Sequence, residues 1–471
     1  MAFNRRKFLQ KITLGTAAFG IGTKLFGNPE EEMFQIPNGN QHFNMSGYAA
    51  PKLNTVRIGI VGLGMRGPDA VERMSFIQGV EIVALCDKYP ERVKKSQEIL
   101  KKAKLPAAKD YSGKEDSWKR MCEDPNIDLI YSCTPWHLHT PIAVYAMEHG
   151  KHVATEVPAA KTIDECWQLI ETSEKTKKHC MMLENCCYDF FELLTLNMVR
   201  NGLLGEIVHA EGAYIHELRW LNFKKTDGYA DMWRLKENAS RNGNLYPTHG
   251  LGPIAQCLDI NRGDKMDHLV SMSTLDFQMN EEVKTLAAKD DFFTEYVNKP
   301  YRGSMNNTII RTAKGKTMLI QHDVTSPRPY SRIHLVSGTK GIAQKWPSPA
   351  KIALGHSWMN DEEYKKNEEK WTPPIVKHVG EIAKKVGGHG GMDFIMDWRL
   401  IDCLRNGLAL DQDVYDAAAW SAIAPLSEAS VAKKSKSIDI PDFTKGAWKT
   451  NKPVDTSLST GANTEIRNID K

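Results

Sequence analysis

Apolar and polar positions follow two different rhythms along this chain. From residue 55 to about 185, short β-branched runs alternate with longer stretches of helical period. The runs at 55–61, 80–86, 127–133, 152–156 and 180–183 predict strands. The stretches starting at Pro68 and spanning 90–104, 140–149 and 162–176 predict helices. Pro68 suits the first turn of a helix, where its missing N–H costs nothing. Strands alternating with helices predict a parallel, doubly wound sheet. After about residue 190 the rhythm changes. A helix at 190–201 is followed by period-two segments at 206–216, 267–277, 306–312, 316–323 and 332–337. These predict a largely antiparallel open sheet. An apolar helix is expected late, at 414–426. The fold class is therefore α/β: a first domain over residues 55–185, a second α+β domain over 186–445, and a polar tail over 446–471.

The N-terminal end has a different character. Residues 33–54 are polar, rich in Gly, Pro and Asn, and read as a linker. Ahead of them, the apolar stretch Ile12 to Phe26 is broken by Lys24. It is too short to span a bilayer well and suits the apolar region of a signal peptide. The preceding Asn4-Arg5-Arg6-Lys7-Phe8-Leu9-Gln10-Lys11 looks like a twin-arginine signal. Residues 1–32 are thus expected to direct export of a folded protein, with a periplasmic destination and no membrane span in the mature chain.

Composition narrows the function. Net charge is 62 − 58 = +4, and no basic block alternates with aromatic residues, so a nucleic-acid partner is not expected. The nine cysteines are odd in number, scattered, and contain no C-x-x-C pair. Adjacent Cys186 and Cys187 would make a strained bridge. Buried free thiols are expected, as for a protein folded in a reducing compartment.

The strand at 55–61 runs into Gly62-x-Gly64-x-x-Gly67, and Asp87 ends the next strand, 20 positions after Gly67. In this setting each glycine has its own task. Gly62 permits the tight turn, Gly64 lets backbone approach a pyrophosphate, and Gly67 allows close helix–strand packing. The domain is therefore expected to be a Rossmann domain. Asp87 is placed to bind ribose hydroxyls and repel a 2′-phosphate, which favours NAD. Trp136, His137, Leu138 and His139 follow the third strand, where ligands of such sheets lie. They are expected to line the nucleotide pocket. No carboxylate or thiolate stands at matching spacing, so no metal is expected.

Further motifs carry a resemblance. The fourth strand ends in Glu156-Val157-Pro158, followed by Asn185-Cys186-Cys187-Tyr188, Met232-Trp233-Arg234, Asn244-Leu245-Tyr246-Pro247-Thr248-His249-Gly250 and Arg328-Pro329-Tyr330-Ser331. From about residue 55 to 440 the chain resembles the glucose-fructose oxidoreductase and inositol dehydrogenase superfamily. It lacks two of that group's marks. Val157 stands where a Lys is usual, and Pro247 and Leu251 stand where an Asp and a His are usual. Within the superfamily it looks like the NAD-dependent α-N-acetylgalactosaminidase family of glycoside hydrolases. That resemblance implies NAD contacts from Met65, Arg66, Asp87, Trp136 to His139, Glu156, Val157, Asn185 and Tyr246. It implies sugar contacts from Tyr214, Arg234, Tyr246, Pro247, Thr248, His249 and Tyr330. Base and acid would come from Tyr188, Tyr246, His249 and Tyr330, with Arg234 placed to lower a tyrosine's pKa.

The implied reaction is hydrolysis of a terminal α-linked N-acetylgalactosamine by oxidation at C3, elimination, addition of water and reduction, with retention. The cofactor ends as it began, which suits an enzyme exported away from a free nucleotide pool. An exported sugar oxidoreductase with tightly held NAD is a second reading. A non-catalytic sugar-binding protein retaining NAD is a third. A homo-oligomer, formed through the open sheet, is also implied by resemblance. The Gly387-Gly388-His389-Gly390-Gly391 segment reads equally well as a loop over the sugar and as a flexible surface turn.

Overall fold

The computed structural model describes residues 41–467. The twin-arginine-like segment lies outside the described residues, as does the linker up to residue 40. The first domain is built on six strands: β1 (Val56–Val61), β2 (Val80–Cys86), β3 (Lys109–Asp110), β4 (Leu129–Ser132), β5 (His152–Thr155) and β6 (Cys180–Met182). All pair in parallel, in the order β3-β2-β1-β4-β5-β6. β4, β5 and β6 are buried at every position, which explains their unbroken apolar runs. The expected parallel sheet is therefore present. Two helices start earlier than the periodicity predicts. One begins at Arg66, and the helix Trp136–Glu148 begins ahead of Pro141. In the second, His139 braces the turn before the proline. Its ring nitrogens lie 2.7 Å from Thr134 O and 2.7 Å from Pro158 O.

The second sheet has eight strands: β7 (Ile207–Ile215), β8 (Met266–Ser273), β9 (Met305–Thr312), β10 (Thr317–Asp323), β11 (Leu335–Gly338), β12 (Gly341–Gln344), β13 (Lys351–Leu354) and β14 (Ile438–Asp439). Their order is β13-β12-β11-β7-β10-β9-β8-β14. Only β7 and β10 pair in parallel, so the sheet is mixed and mostly antiparallel. Its two faces differ as period-two burial requires. Ala210, Met318, Ile320, Ile310 and Leu269 are buried beneath helices, whereas Ile309 and Met272 are exposed on the open face.

One close contact sets the position of the helix Thr248–Cys257 on this sheet. A Cβ at Gly212 of β7 would lie 2.2 Å from Gly250 O, and a Cβ at Gly250 would lie 2.3 Å from Ala213 N. Only glycine at both positions lets strand and helix touch backbone to backbone. Two late helices then tie the halves together. Val414–Ala432 packs on β6, on β8 and on the helix Ile163–Thr176. It has a full capping box at Asp413. Met392–Asn406 packs against β1 and the helix Arg66–Ser75, where Asp397 accepts from Arg73 Nε at 2.7 Å and from the Tyr131 hydroxyl at 2.8 Å. The polar segment after residue 446 returns to the first domain. Trp398 Nε1 donates to Thr464 O, and Ile466 bridges to Ile77. Among the described residues, no helix is long and apolar enough to cross a membrane. All nine cysteines are free thiols, and all but Cys133 are fully buried.

Four buried histidines give the fold a pH dependence. Burial pushes His179 and His334 down to about 4, and drives His152 and His322 well below the usual range. An unfolded chain carries ordinary imidazoles near pH ~6.5. Below that pH the unfolded state binds protons the fold does not. The stability these histidines contribute is therefore complete above ~6.5 and lost as pH falls towards 4. We expect the urea midpoint at pH 5 to lie below that at pH 7.5. Equal midpoints would contradict this account.

Candidate active site

The carboxyl ends of the first sheet's strands and the buried face of the second sheet enclose a cleft of about 630 Å³. Its nucleotide side is shaped by the glycine loop. Gly62 has φ +87°, and a Cβ there would lie 2.7 Å from the Cys133 carbonyl. A Cβ on Gly67 would lie 2.2 Å from Gly62 O, whereas one on Gly64 would meet nothing closer than Arg92 at 3.5 Å. The cradle is thus tight where helix and strand meet and open where a phosphate would approach. Asp87 accepts the Leu63 N–H at 2.7 Å and the Tyr89 N–H at 3.0 Å, and Arg92 lies 3.6 Å away. Its carboxylate both holds the loop and lines the cleft. These features suit a dinucleotide.

Met65, Arg66, Trp136, His137, Leu138, Glu156, Val157 and Asn185 all line the cleft, as the motifs imply. Arg66 Nε donates to Glu156 at 2.8 Å. His139 also touches the lining, but its ring is committed to two carbonyls, and its task is to hold the wall.

The sugar side is a stack of aromatic rings from the second domain. Tyr246 lies parallel to Trp136, with centroids 5.9 Å apart, and 4.7 Å from the Tyr214 ring. Trp136 belongs to the first domain, so the stack crosses between domains. The Arg234 guanidinium lies 4.5 Å from the Tyr246 centroid, and it donates to the Tyr229 hydroxyl at 2.7 Å. Among the described residues, no carboxylate pairs with Arg234. His249 follows Tyr246 on the helix that Gly250 seats on β7. Its Nδ1 donates to Glu184 Oε1 at 2.7 Å, and its Nε2 is 3.4 Å from the Tyr246 hydroxyl. Glu184, just past β6, is fully buried. Burial alone would raise its pKa, but His249 and the Cys186 N–H hold it below the ordinary carboxylate range. The result is a carboxylate–imidazole–phenol relay joining the two domains.

Several expectations change. Burial raises Tyr246 well above the usual phenol range despite Arg234, so the phenol stays protonated at neutral pH. The expectation that Arg234 makes it a base is corrected: burial outweighs the charge. Tyr188 does not reach the cleft. Its buried ring points to the other side of the 3₁₀ turn Asn185–Tyr188, with its hydroxyl 3.4 Å from Asp411. Pro247 and Thr248 do not line the cleft either; they form the entry to the helix Thr248–Cys257, with Thr248 fully buried. Tyr330 sits behind the lining. It packs edge-on to His216 at 4.9 Å and accepts from Arg332 at 3.3 Å. His216 itself lines the cleft, 3.0 Å from the Tyr214 hydroxyl, and burial together with Arg234 pushes it below the usual imidazole range.

The sequence reading passes over Glu184 and His216, and for His389 it leaves a loop over the sugar and a surface turn equally open. A lone charge in the apolar run Cys180 to Cys187, just after a strand of the parallel sheet, was the legible signal for Glu184. His389 reaches the cleft edge on a turn pinned at Gly388 and Gly391, where a Cβ would collide, whereas Cβ atoms on Gly387 and Gly390 would meet nothing within 4 Å. Glu184, Cys186 and His249 also bring ligand-type atoms within 4.8 Å of one another. Burial holds the Cys186 thiol protonated, and His249 Nδ1 is already turned to Glu184. The cradle makes one direct test possible. Gly67→Ala should purify with less than a tenth of the wild-type bound NAD, assayed by chromatography of the denatured supernatant. Full NAD content would contradict the cradle.

Comparison with known proteins agrees with this geometry. Residues 56–184 match the oxidoreductase family, NAD-binding Rossmann fold. Residues 188–450 match the glycosyl hydrolase 109 C-terminal domain. The chain is 54% identical over 457 residues to a glycosyl hydrolase family 109 protein of Porphyromonas gingivalis, covering 93% of this chain and 92% of that one. It is 51% identical over 408 residues to a Bacteroides fragilis protein named alpha-N-acetylgalactosaminidase, covering 86% and 95%. Among solved structures it is similar to levoglucosan dehydrogenase in complex with NADH and L-sorbose. That match has TM-score 0.61 and 17% identity, and covers 83% of this chain and 100% of the other, a likeness of fold. The cofactor of the cradle is NAD, and the chain belongs to glycosyl hydrolase family 109.

Proposed function

We propose that this enzyme releases terminal α-linked N-acetylgalactosamine from glycans by oxidation, elimination, addition and reduction, with retention at C1. The observation that carries the reading is the Glu184–His249–Tyr246 relay, which opens on the same cleft as the NAD cradle. Most glycosidases work with two carboxylates flanking the bond, NAD-dependent enzymes being an exception. Here every carboxylate lining the cleft sits beside a cation. Asp87 is near Arg92, Glu156 on Arg66, Glu237 on Lys161, and Glu115 and Asp231 share Lys88. None is placed as an unpaired acid or nucleophile.

Bound NAD supplies a reversible hydride acceptor for sugar C3. Oxidation there makes the C2 hydrogen acidic, so a base near C2 can expel the C1 substituent. His249 suits the base. Its Nδ1–H is spent on Glu184, which leaves Nε2 as the acceptor, and the carboxylate stabilises the imidazolium that forms. Tyr246 keeps its proton and suits the acid for the leaving oxygen. Arg234, a buried cation with no carboxylate partner among the described residues, suits the oxygens of the sugar or its acetamido group. Trp136, Tyr246 and Tyr214 offer apolar faces to the ring and exclude water. The Bacteroides fragilis relative's name supports the choice of sugar. The segment Asn4 to Lys11 supports export to the periplasm, and the exposed face of the second sheet, with Ile309 and Met272, supports a homo-oligomer.

The test is product NMR after incubation with an aryl α-N-acetylgalactosaminide in D₂O, without added NAD. Released sugar should carry deuterium at C2. Tyr246→Phe and His249→Ala should each lower turnover by roughly 10²–10⁴-fold. Release without C2 exchange would overturn the mechanism. A net build-up of keto-sugar would favour the oxidoreductase reading instead.

A further inference from the structure

The cofactor and sugar sides of the cleft share one carboxylate that neither side exposes. Asp393 is fully buried on the first turn of the helix Met392–Asn406. Its Oδ1 accepts from Asn185 Nδ2 at 2.5 Å. Its Oδ2 accepts from Arg66 at 3.0 Å and lies 2.9 Å from His389 Nδ1. Arg66, Asn185 and His389 come from three separate segments, and all three line the cleft. Arg66 also approaches His389 directly, at 3.2 Å. The glycine-rich turn that carries His389 is seated on this carboxylate. A Cβ on Gly388 would lie 2.7 Å from Asp393 Cβ, and one on Gly391 would lie 2.8 Å from the Ala383 carbonyl carbon. Gly387, Gly388, Gly390 and Gly391 all have positive φ, so the turn takes a shape that side chains would oppose.

We infer that Asp393 is a positioning residue that sets His389 at the cleft edge in register with the cofactor-side pair Arg66 and Asn185. A carboxylate can serve these three donors at once. An amide cannot, because one of its two ends is itself a donor and would oppose Asn185 on one side or Arg66 and His389 on the other. Loss of the charge should therefore loosen the cofactor side and displace His389 together. A merely structural ion pair would cost stability without linking the two.

The kcat readout rests on the proposed hydrolase activity; the NAD readout does not. The full chain, purified with its NAD, is compared as wild type, Asp393→Asn, His389→Ala, the double variant and Gly388→Ala. NAD per chain is measured after long dialysis. kcat and KM are measured with an aryl α-N-acetylgalactosaminide at saturating NAD. Asp393→Asn should lose at least half its NAD and about 10–100-fold in kcat, the usual scale for groups that orient a reacting shell. KM should stay within about threefold. In the His389→Ala background, Asp393→Asn should change kcat by less than threefold. Effects of the two changes that multiply would overturn the inference, and so would full NAD and full kcat with only a lower melting temperature. If Asp393→Asn does not fold, Gly388→Ala carries the test, because it keeps the Asp393 carboxylate and forces the turn and Asp393 apart. It should lose kcat in the wild-type background and not in the His389→Ala background; wild-type kcat would overturn the inference. A wild type without hydrolysis would refute the proposed function, while NAD retention would still decide whether Asp393 holds Arg66 and Asn185.

Discussion

The contact between Gly212 and Gly250 is the constraint on which the site depends. Backbone touches backbone there, with no room for a Cβ on either side. The helix Thr248–Cys257 is thereby pressed onto β7, and its first turn is carried to the end of the first domain's sheet. Tyr246 then stacks on Trp136, and His249 reaches Glu184. A side chain between strand and helix would push this turn away from both partners. The relay is consequently a product of domain packing, and neither domain holds it alone.

Electrostatics gives the same junction its stiffness. Glu184 and Asp393 are both fully buried, and each keeps its charge only because donors converge on it: the His249 and Cys186 N–H groups on Glu184, and Arg66, Arg73, Asn185 and His389 on Asp393. For Asp393, burial pulls the pKa upward, and His389, Arg66 and Arg73 together hold it well below the ordinary range. A buried charge that loses its partner costs on the order of 3–5 kcal/mol. Each carboxylate therefore enforces one geometry on the groups around it. Such preorganisation suits a reaction in which several proton movements must occur over one bound sugar.

Much of this was legible in the chain. The parallel sheet followed from β-α alternation, because buried strands read as unbroken apolar runs. The cradle followed from Gly62, Gly64 and Gly67 in their strand–helix setting. The largely antiparallel sheet was visible in period-two segments with one exposed face, whereas the parallel pairing of β7 with β10 was not. β12, β13 and the helix Met392–Asn406 were not visible, for different reasons. The two strands are four residues long. The helix is buried on all sides and includes the charged residues Asp393, Asp397, Arg399 and Asp402, so it shows no amphipathic stripe. The site residues divide in the same way. Motif positions on the parallel sheet fell into the cleft as expected. Tyr188 did not, because a 3₁₀ turn after Asn185 rotates its ring to the far side. Glu184 was overlooked because its partner, His249, is 65 positions away and meets it only across the domain junction.

The most direct measurement is a crystal structure of the protein with NAD and N-acetylgalactosamine bound. The account predicts the sugar on the Tyr246–Tyr214 face, with C3 towards the nicotinamide and the C2 hydrogen towards His249. Glu184 should remain on His249 Nδ1. A sugar held away from Tyr246 and His249, or with two unpaired carboxylates flanking C1, would contradict it.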